Sequence, residues 1–352
     1  MISSERPGLL LTNLGTPDAP STPAVRRYLR EFLSDPRVLD IPGPVRAMLV
    51  NGIIAPLRGP KSAEAYRTVW TEAGSPLLAI SLELRDALRH ELAGLPIELG
   101  MRYGNPSLAS AFDALLEAGC DRIVLLPLYP QYASSSTGST VEAVYRLAAE
   151  RWNTPSLEVV PAFYDAPWFL DAQAELVRER REGAKTDHVL FSYHGLPERH
   201  CRKSDPTGAH CLANENCCAS IVDANRHCYR AQCMASTREL AERLGLGPTE
   251  HTVAFQSRLG RDPWIRPFTD EVVVDLAKRG VKRLLVACPS FTVDCLETIE
   301  EIGDRAREDF EKAGGEHLEL VPCLNADSRW VRGLGRHLRE RWFPNLETTT
   351  SP

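Results

Sequence analysis

No stretch of this chain approaches the ~20 consecutive apolar residues of a membrane-spanning helix. Neither G-x-x-x-x-G-K-[ST] nor G-x-G-x-x-G occurs, so the usual backbone cradles for nucleotide phosphates are missing and nucleotide-driven chemistry is not expected. Charge of one sign is also lacking. The 41 basic and 47 acidic residues leave a net charge of −6, which provides no electrostatic footprint for nucleic acid. The opening MISSERPGLLLTNLG carries an acidic residue and only a short apolar run, and it does not read as a signal peptide. A cytoplasmic protein is the expectation, with peripheral contact at the inner face of a membrane left open. In that compartment thiols stay reduced, so disulfides are a poor first reading of the ten cysteines.

The 352 residues, 43% hydrophobic and 25% charged, suit a soluble protein of two domains. Apolar runs bounded by turn residues mark four buried strands in the first half, at 8–15, 97–104, 122–130 and 157–163. Four more follow at 188–195, 252–260, 283–291 and 318–324. Amphipathic stretches lie between them at Ser81–Ala93, Leu108–Ala118, Val141–Glu150, Thr237–Leu244, Asp270–Lys278 and Leu296–Ala313. The alternation predicts an α/β fold of two tandem Rossmann-like domains, each a four-stranded parallel sheet flanked by helices. The division expected is 1–165, with a helical and Pro-rich lip at about 22–60, then 166–344, then a frayed tail at 345–352. A Cys-rich insertion occupies about 199–235.

Ligands of open α/β sheets bind beyond the carboxyl ends of the strands, so those ends are where chemistry is sought. His194 ends the first strand of the second half, where Gly195 permits a turn and Pro197 blocks continuation. It suits a base or metal ligand, or equally a hydrogen-bonded structural histidine. After the seventh run, FTVDCLETIEEI sets Asp294, Glu297, Glu300 and Glu301 at the start of a helix. Helix capping accounts for Asp294. It accounts less well for Glu297, Glu300 and Glu301 on one face at i, i+3 and i+4, where a carboxylate ladder would pass divalent cations. In the first half, Tyr129 and Tyr132 either flank a flat aromatic ligand or pack between sheet and helix. Arg102, followed by Tyr103, suits an anionic ligand or a plain surface position.

Seven segments resemble ferrochelatase motifs, in the family's order, from Leu9 to about Arg339: LLLTNLGTPD, YLREFLSDPRVLD, RYGNPSL, LPLYPQYASSSTGS, SYHGLPER, FQSRLGRDPW and FxxDCLETIEEI. The resemblance implies the chelatase fold, with a porphyrin cleft, and Fe²⁺ insertion into protoporphyrin IX, the last step of haem synthesis. It implies His194 and Glu297 as catalytic residues and His194, Glu297 and Glu301 as contacts of the Fe²⁺ substrate. Leu14, Tyr28, Arg102, Tyr103, Tyr132, Trp264 and the 26–41 lip become porphyrin contacts, with Leu14 on the face of the macrocycle opposite His194. Partners implied are the porphyrin, Fe²⁺, and either a membrane surface or an upstream porphyrin-synthesis enzyme, with no nucleic acid.

The insertion resembles the internal segment by which a bacterial ferrochelatase subgroup binds a [2Fe–2S] cluster, held by four thiolates. The ligands would be four of Cys211, Cys217, Cys218, Cys228 and Cys233, with Cys201 spare. Zinc competes, because Cys228-x₄-Cys233 fits structural zinc spacing and His210 or His227 can join. Cys120, Cys288 and Cys323 read as core thiols, and Cys295, beside Glu297, as another core thiol or one near the site. Three alternatives stay open on the residues: the same reaction on coproporphyrin III, an iron–sulfur redox or iron-sensing protein on a chelatase fold, and a porphyrin carrier without catalysis.

Overall fold

The computed structural model describes residues 5–258, 260 and 262–346. Eight strands form: β1 Pro7–Thr16, β2 Ile97–Gly104, β3 Arg122–Pro127, β4 Ser156–Val159, β5 His188–His194, β6 His251–Gln256, β7 Arg283–Ala287 and β8 His317–Leu320. They build two all-parallel sheets ordered β2-β1-β3-β4 and β6-β5-β7-β8. The two halves thus repeat one topology, as the spacing of apolar runs implied. Leu9, Leu10 and Leu11 in β1, and Leu190 and Phe191 in β5, are wholly buried. Consecutive burial on both faces is the mark of a sheet covered on both sides by helices.

The helices are α1 Thr22–Ser34, α2 Gly43–Leu49, α3 Ala55–Val69, α4 Pro76–Glu91, α5 Leu108–Glu117, α6 Ser139–Ala149, α7 Pro167–Ala184, α8 Glu198–Lys203, α9 Tyr229–Leu244, α10 Thr269–Lys278, α11 Leu296–Thr298, α12 Arg307–Lys312 and α13 Ser328–Trp342. Wider π-type turns occupy Val50–Ile54, Ser134–Gly138 and Ile299–Ala306. In the first sheet's core, Leu10, Phe112, Ile123, Leu125 and Val144 pack together. In the second, Leu190, Val273, Val286, Ile302 and Phe310 do the same. Burying each such side chain contributes roughly 1.5–3 kcal/mol.

The expected division is redrawn at two places. Of the described residues, one compact unit takes those up to Leu128, Ser134–Pro161 and those from Asn325 to 346; the other takes those within Tyr129–Ala133 and Ala162–Leu324. Helix α13 therefore belongs with the first sheet, not the second. Its Arg339 donates to the Glu91 carbonyl on α4 at 2.6 Å, and the carbonyl of Trp342 accepts from Arg122 at 2.9 Å. Trp330, fully buried, seats it. Of the expected tail, residues 347–352 lie outside the described residues, as do Leu259 and Arg261 of the FQSRLGRDPW segment.

The Pro-rich lip is largely helical. Pro60 stands inside α3, where it has no N–H to give. The Pro56 carbonyl, four residues earlier, accepts from the Arg26 guanidinium instead at 3.0 Å. Gly59 makes room for it, since a Cβ there would meet Arg26 Cγ at 2.5 Å.

Candidate functional site

Both sheets reverse their winding direction beside their first strand, and the carboxyl edge at such a switch point is where open α/β sheets bind ligands. In the second unit that edge lies between β5 and β7. His194 closes β5, and its backbone N–H donates to the Ser290 hydroxyl just beyond β7 at 3.0 Å. Its ring lies 6.2 Å from that of Phe291. Nδ1 stands 2.6 Å from the Gly195 carbonyl. A carbonyl can only accept, so Nδ1 carries the proton and Nε2 keeps its lone pair for a proton or a metal.

In register with His194 on the neighbouring strand stands Gln256, whose amide donates to the backbone carbonyl of Glu297 at 2.6 Å. The next residue, Ser257, holds a left-handed φ of +65°. Its N–H donates to the Glu301 carboxylate at 2.9 Å and its hydroxyl to the other oxygen. Strained backbone of this kind clusters at functional sites. Burial pushes the Glu301 carboxyl up; the Ser257 bond, Arg305 and His194 pull it back in part, and Glu297 adds to the rise. The sensitivity of Glu301 to both neighbours ties imidazole and carboxylates to one locality. The three same-face carboxylates expected from α-helical spacing become two. In the π-type turn each residue rotates less, which keeps Glu301 in line with Glu297 and swings Glu300 aside. Glu300 pairs with Arg305 at 2.8 Å.

Trp264 packs here as well. The segments around residues 197 and 264 form an antiparallel bridge, and Ile265 N–H donates to the Leu196 carbonyl at 3.0 Å. A Cβ on Gly195 would meet the Trp264 ring at 3.2 Å and the Gln256 carbonyl at 2.8 Å, so glycine is required beside the histidine. Tyr132, also in this unit, is half-buried; its N–H donates to Gln232 at 2.6 Å and its ring lies 5.7 Å from that of His227.

The first unit gathers a different set. Leu14, half-buried, lies near the carboxyl end of β1, just before Gly15. Gly15 has a φ of +112°, and a Cβ on it would stand 1.8 Å from the Tyr103 carbonyl. Its own carbonyl accepts from the Tyr28 hydroxyl at 3.0 Å. The residue missed by sequence reasoning is Asp35, the C-cap of α1 within the lip. One carboxylate oxygen accepts from Arg102 at 2.6 Å, Ser139 at 2.5 Å and Tyr103 at 2.9 Å; the other accepts from the Arg37 N–H at 2.7 Å. Burial would push this carboxyl up, but the bonds from Ser139, Arg37 and Tyr103 and the charge of Arg102 outweigh it and hold it below the ordinary range. Tyr103 is thereby fully buried, with burial pushing its phenol up. It braces the lip, and Arg102 keeps the more open position. The Asp-Pro step in SDPRV was the available signal, because a residue before proline leaves the helix and frees its side chain to cap.

All ten cysteines are buried free thiols. In the insertion Sγ of Cys217 lies 3.6 Å from Sγ of Cys218, and Cys211, Cys218 and Cys201 all interact with Cys228. Burial pushes the Cys211 and Cys217 thiols up. Contact with Cys228 does so for Cys218, and contact with Cys201 raises Cys228 to about 11. Cys233 sits one turn into α9 and bonds with Tyr229. As packed, the thiols touch one another, and among the described residues no three His, Cys, Asp or Glu side chains form a ready single-ion site. Two donors nonetheless point at sulfur: the Leu212 N–H at 3.4 Å from Cys217 and the Arg230 guanidinium at 3.1 Å from Cys218. A half-buried guanidinium set against sulfur suits thiolates, and thiolates are what an iron–sulfur group or zinc requires. The donor set of Cys211, Cys217, Cys218 and Cys228 therefore fits a thiolate-held group, with Cys233 turned instead toward Tyr229.

Comparison with known proteins adds four findings. The family model described as Ferrochelatase matches residues 6–342. A Ferrochelatase of Coxiella burnetii (strain CbuG_Q212) is 46% identical over 330 residues, 94% of this chain and 92% of that protein. A Ferrochelatase of Pseudomonas fluorescens (strain Pf0-1) is 48% identical over 327 residues, covering 93% and 95%. Among solved structures, SirB from Bacillus subtilis with Fe³⁺ superposes with a TM-score of 0.52 at 12% identity, covering 95% of each chain, a likeness of fold alone.

Proposed function

The chain belongs to the ferrochelatase family, and from that premise we propose how its residues insert Fe²⁺ into a porphyrin, the terminal step of haem biosynthesis, with protoporphyrin IX as the substrate. The observation that carries the residue assignment is the carboxyl edge of the second sheet. There one imidazole with a free Nε2 adjoins Gln256, which braces Glu297, and Ser257, which braces Glu301.

Insertion exchanges two pyrrole protons for one Fe²⁺. Pyrrole N–H is a very weak acid, so a base alone is not enough. Bending the macrocycle exposes the nitrogen lone pairs and lowers the barrier, a form of substrate strain. His194 Nε2 accepts protons or hands over the metal, within the range of a positioned general base. Glu297 and Glu301 present oxygen ligands, which hold Fe²⁺ loosely enough to release it. In the first unit Arg102 addresses the substrate's carboxylates, while Leu14 and Tyr28 offer apolar contact; Tyr132 and Trp264 do the same in the second. Tyr103 acts through Asp35. Steady-state Fe²⁺ insertion into protoporphyrin IX tests the assignment: His194→Ala and Glu297→Gln should each lose at least about 100-fold in kcat, in line with a lost acid–base group. Full turnover in either variant overturns it.

The insertion is read as the seat of a [2Fe–2S] cluster on Cys211, Cys217, Cys218 and Cys228, which when bound supplies a one-electron centre. A colourless anaerobic preparation holding stoichiometric zinc would reverse that reading. The protein works in the cytoplasm and touches the membrane peripherally through its lip. Met48 and Leu57 there are 67% and 73% exposed, and Val45 and Ile53 about half. Failure to float with anionic vesicles at low salt would rule this contact out.

A further inference from the structure

The Cys-rich insertion and the reacting imidazole belong to the same unit, and a short chain of hydrogen bonds joins them. Cys228, in contact with Cys201, Cys211 and Cys218, is the N-cap of α9. The first residue of that helix is Tyr229, buried, and its phenol meets two partners. One is the Cys233 thiol, a turn further along α9 and itself within electrostatic reach of Cys228 and Cys218. The other is the Ser290 hydroxyl beyond β7. Ser290 also accepts the backbone N–H of His194 at 3.0 Å.

The Tyr229 phenol thus stands between the Cys233 sulfur and the Ser290 hydroxyl, and Ser290 in turn accepts the His194 N–H. Groups linked in this way are stronger together than apart. The His194 backbone is otherwise held on one side by β6, through Gln256, while the strand β7 ends before it reaches this level. Ser290 supplies the missing hold on that other side.

We propose that Tyr229 and Ser290 are positioning residues for Fe²⁺ insertion, through which the packing of the insertion's thiols sets the placement of His194. The insertion thus has a consequence for a reaction that involves no net redox change. Whatever rearranges Cys228 or Cys233, be it metal loading, metal loss or oxidation, moves the first turn of α9 and with it the support under the imidazole. The inference rests on His194 as the reacting group, but it requires no particular metal on the cysteines.

The test is a double-mutant cycle on Fe²⁺ insertion into protoporphyrin IX, with circular dichroism melts as a fold control. Ser290→Ala and Tyr229→Phe should each lower kcat about tenfold and leave the porphyrin KM within about twofold, since small misplacements of a reacting group carry losses of this order. Ser290→Thr, which keeps the hydroxyl, should restore turnover. Cys228→Ala should lower kcat similarly, and adding Ser290→Ala to it should cost less than about a further twofold, because members of one network are not additive. Should Cys228→Ala fail to fold, Cys233→Ser takes its place beside Ser290→Ala in the cycle. Independent, multiplying losses would overturn the proposal, and so would a Ser290→Ala enzyme with unaltered kcat. Turnover surviving in His194→Ala would sink this inference together with the site assignment. Loss in His194→Ala beside an unaffected Ser290→Ala would sink this inference alone.

Discussion

Replacing Asp35 by asparagine keeps the shape of a side chain that four donors address, and changes only what it can accept. Arg102, Tyr103 and Ser139 converge on one oxygen, and the Arg37 N–H on the other. The amide must therefore choose. With its NH₂ toward the three donors it would face three protons, so it will turn its carbonyl to them and set NH₂ against the Arg37 N–H. That orphans one backbone donor, at about 1–2 kcal/mol. It also turns the ion pair with Arg102 into a bond from a cation to a neutral amide oxygen, at about another 1–2 kcal/mol. Urea unfolding should therefore show a loss of about 2–4 kcal/mol with the m-value unchanged. Because Asp35 caps the lip helix α1, the porphyrin KM should rise in the same variant. A stability loss below about 0.5 kcal/mol would refute the reasoning, since a merely exposed carboxylate gives as little as that.

The same carboxyl predicts a pH dependence. Its folded pKa lies below the ordinary 3.8, so its contribution is complete above that value and is lost as pH falls through the folded one; acid titration of stability should be shallower in Asp35→Asn below about pH 4. Gly15→Ala should cost about 2–5 kcal/mol, joining a positive-φ penalty to a backbone clash with Tyr103 O, and normal stability in that variant would mean the β1–β2 ends are looser than described. If the insertion holds the proposed [2Fe–2S] cluster, Arg230→Met should leave its visible spectrum in place and make its reduction potential more negative by potentiometric titration, because the guanidinium favours the more anionic reduced form; an unchanged potential would separate Arg230 from the sulfurs.

Local pattern made the strands readable. Runs such as LLLTNLG and VLFSYH are apolar on both faces and stop at turn residues, so their starts and order could be placed. From β3 on, the ends were read too long because the apolar run continues past the last ladder bond: β7 stops at Ala287 while CPSF continues the pattern, and those continuing residues form the site's edge. Within the lip the helix over 22–33 was legible but α3 was not, since Pro60 argues against a helix unless a distant Arg26 supplies the missing donor. Nor was the π-type turn at Ile299–Ala306, where hydrogen-bond register depends on what holds the side chains from outside, such as the grip of Ser257 on Glu301. His194 and Glu297 were visible as types at strand and helix ends. Asp35, Ser257 and Ser290 matter through whom they touch, which no linear pattern displays.

The shared strand order has one more implication. Laying β1 over β5 puts Leu14 in the seat of His194 and Gly15 in that of Gly195, each glycine pressed against a carbonyl of the adjoining strand. The architecture manufactures this berth twice, once per sheet, and arms just one copy with a titratable ring. Reactivity here is thus an occupancy choice at a duplicated address: the inert twin shows what the scaffold alone supplies, and a Leu14→His exchange would ask how much more than a ring the armed copy needs.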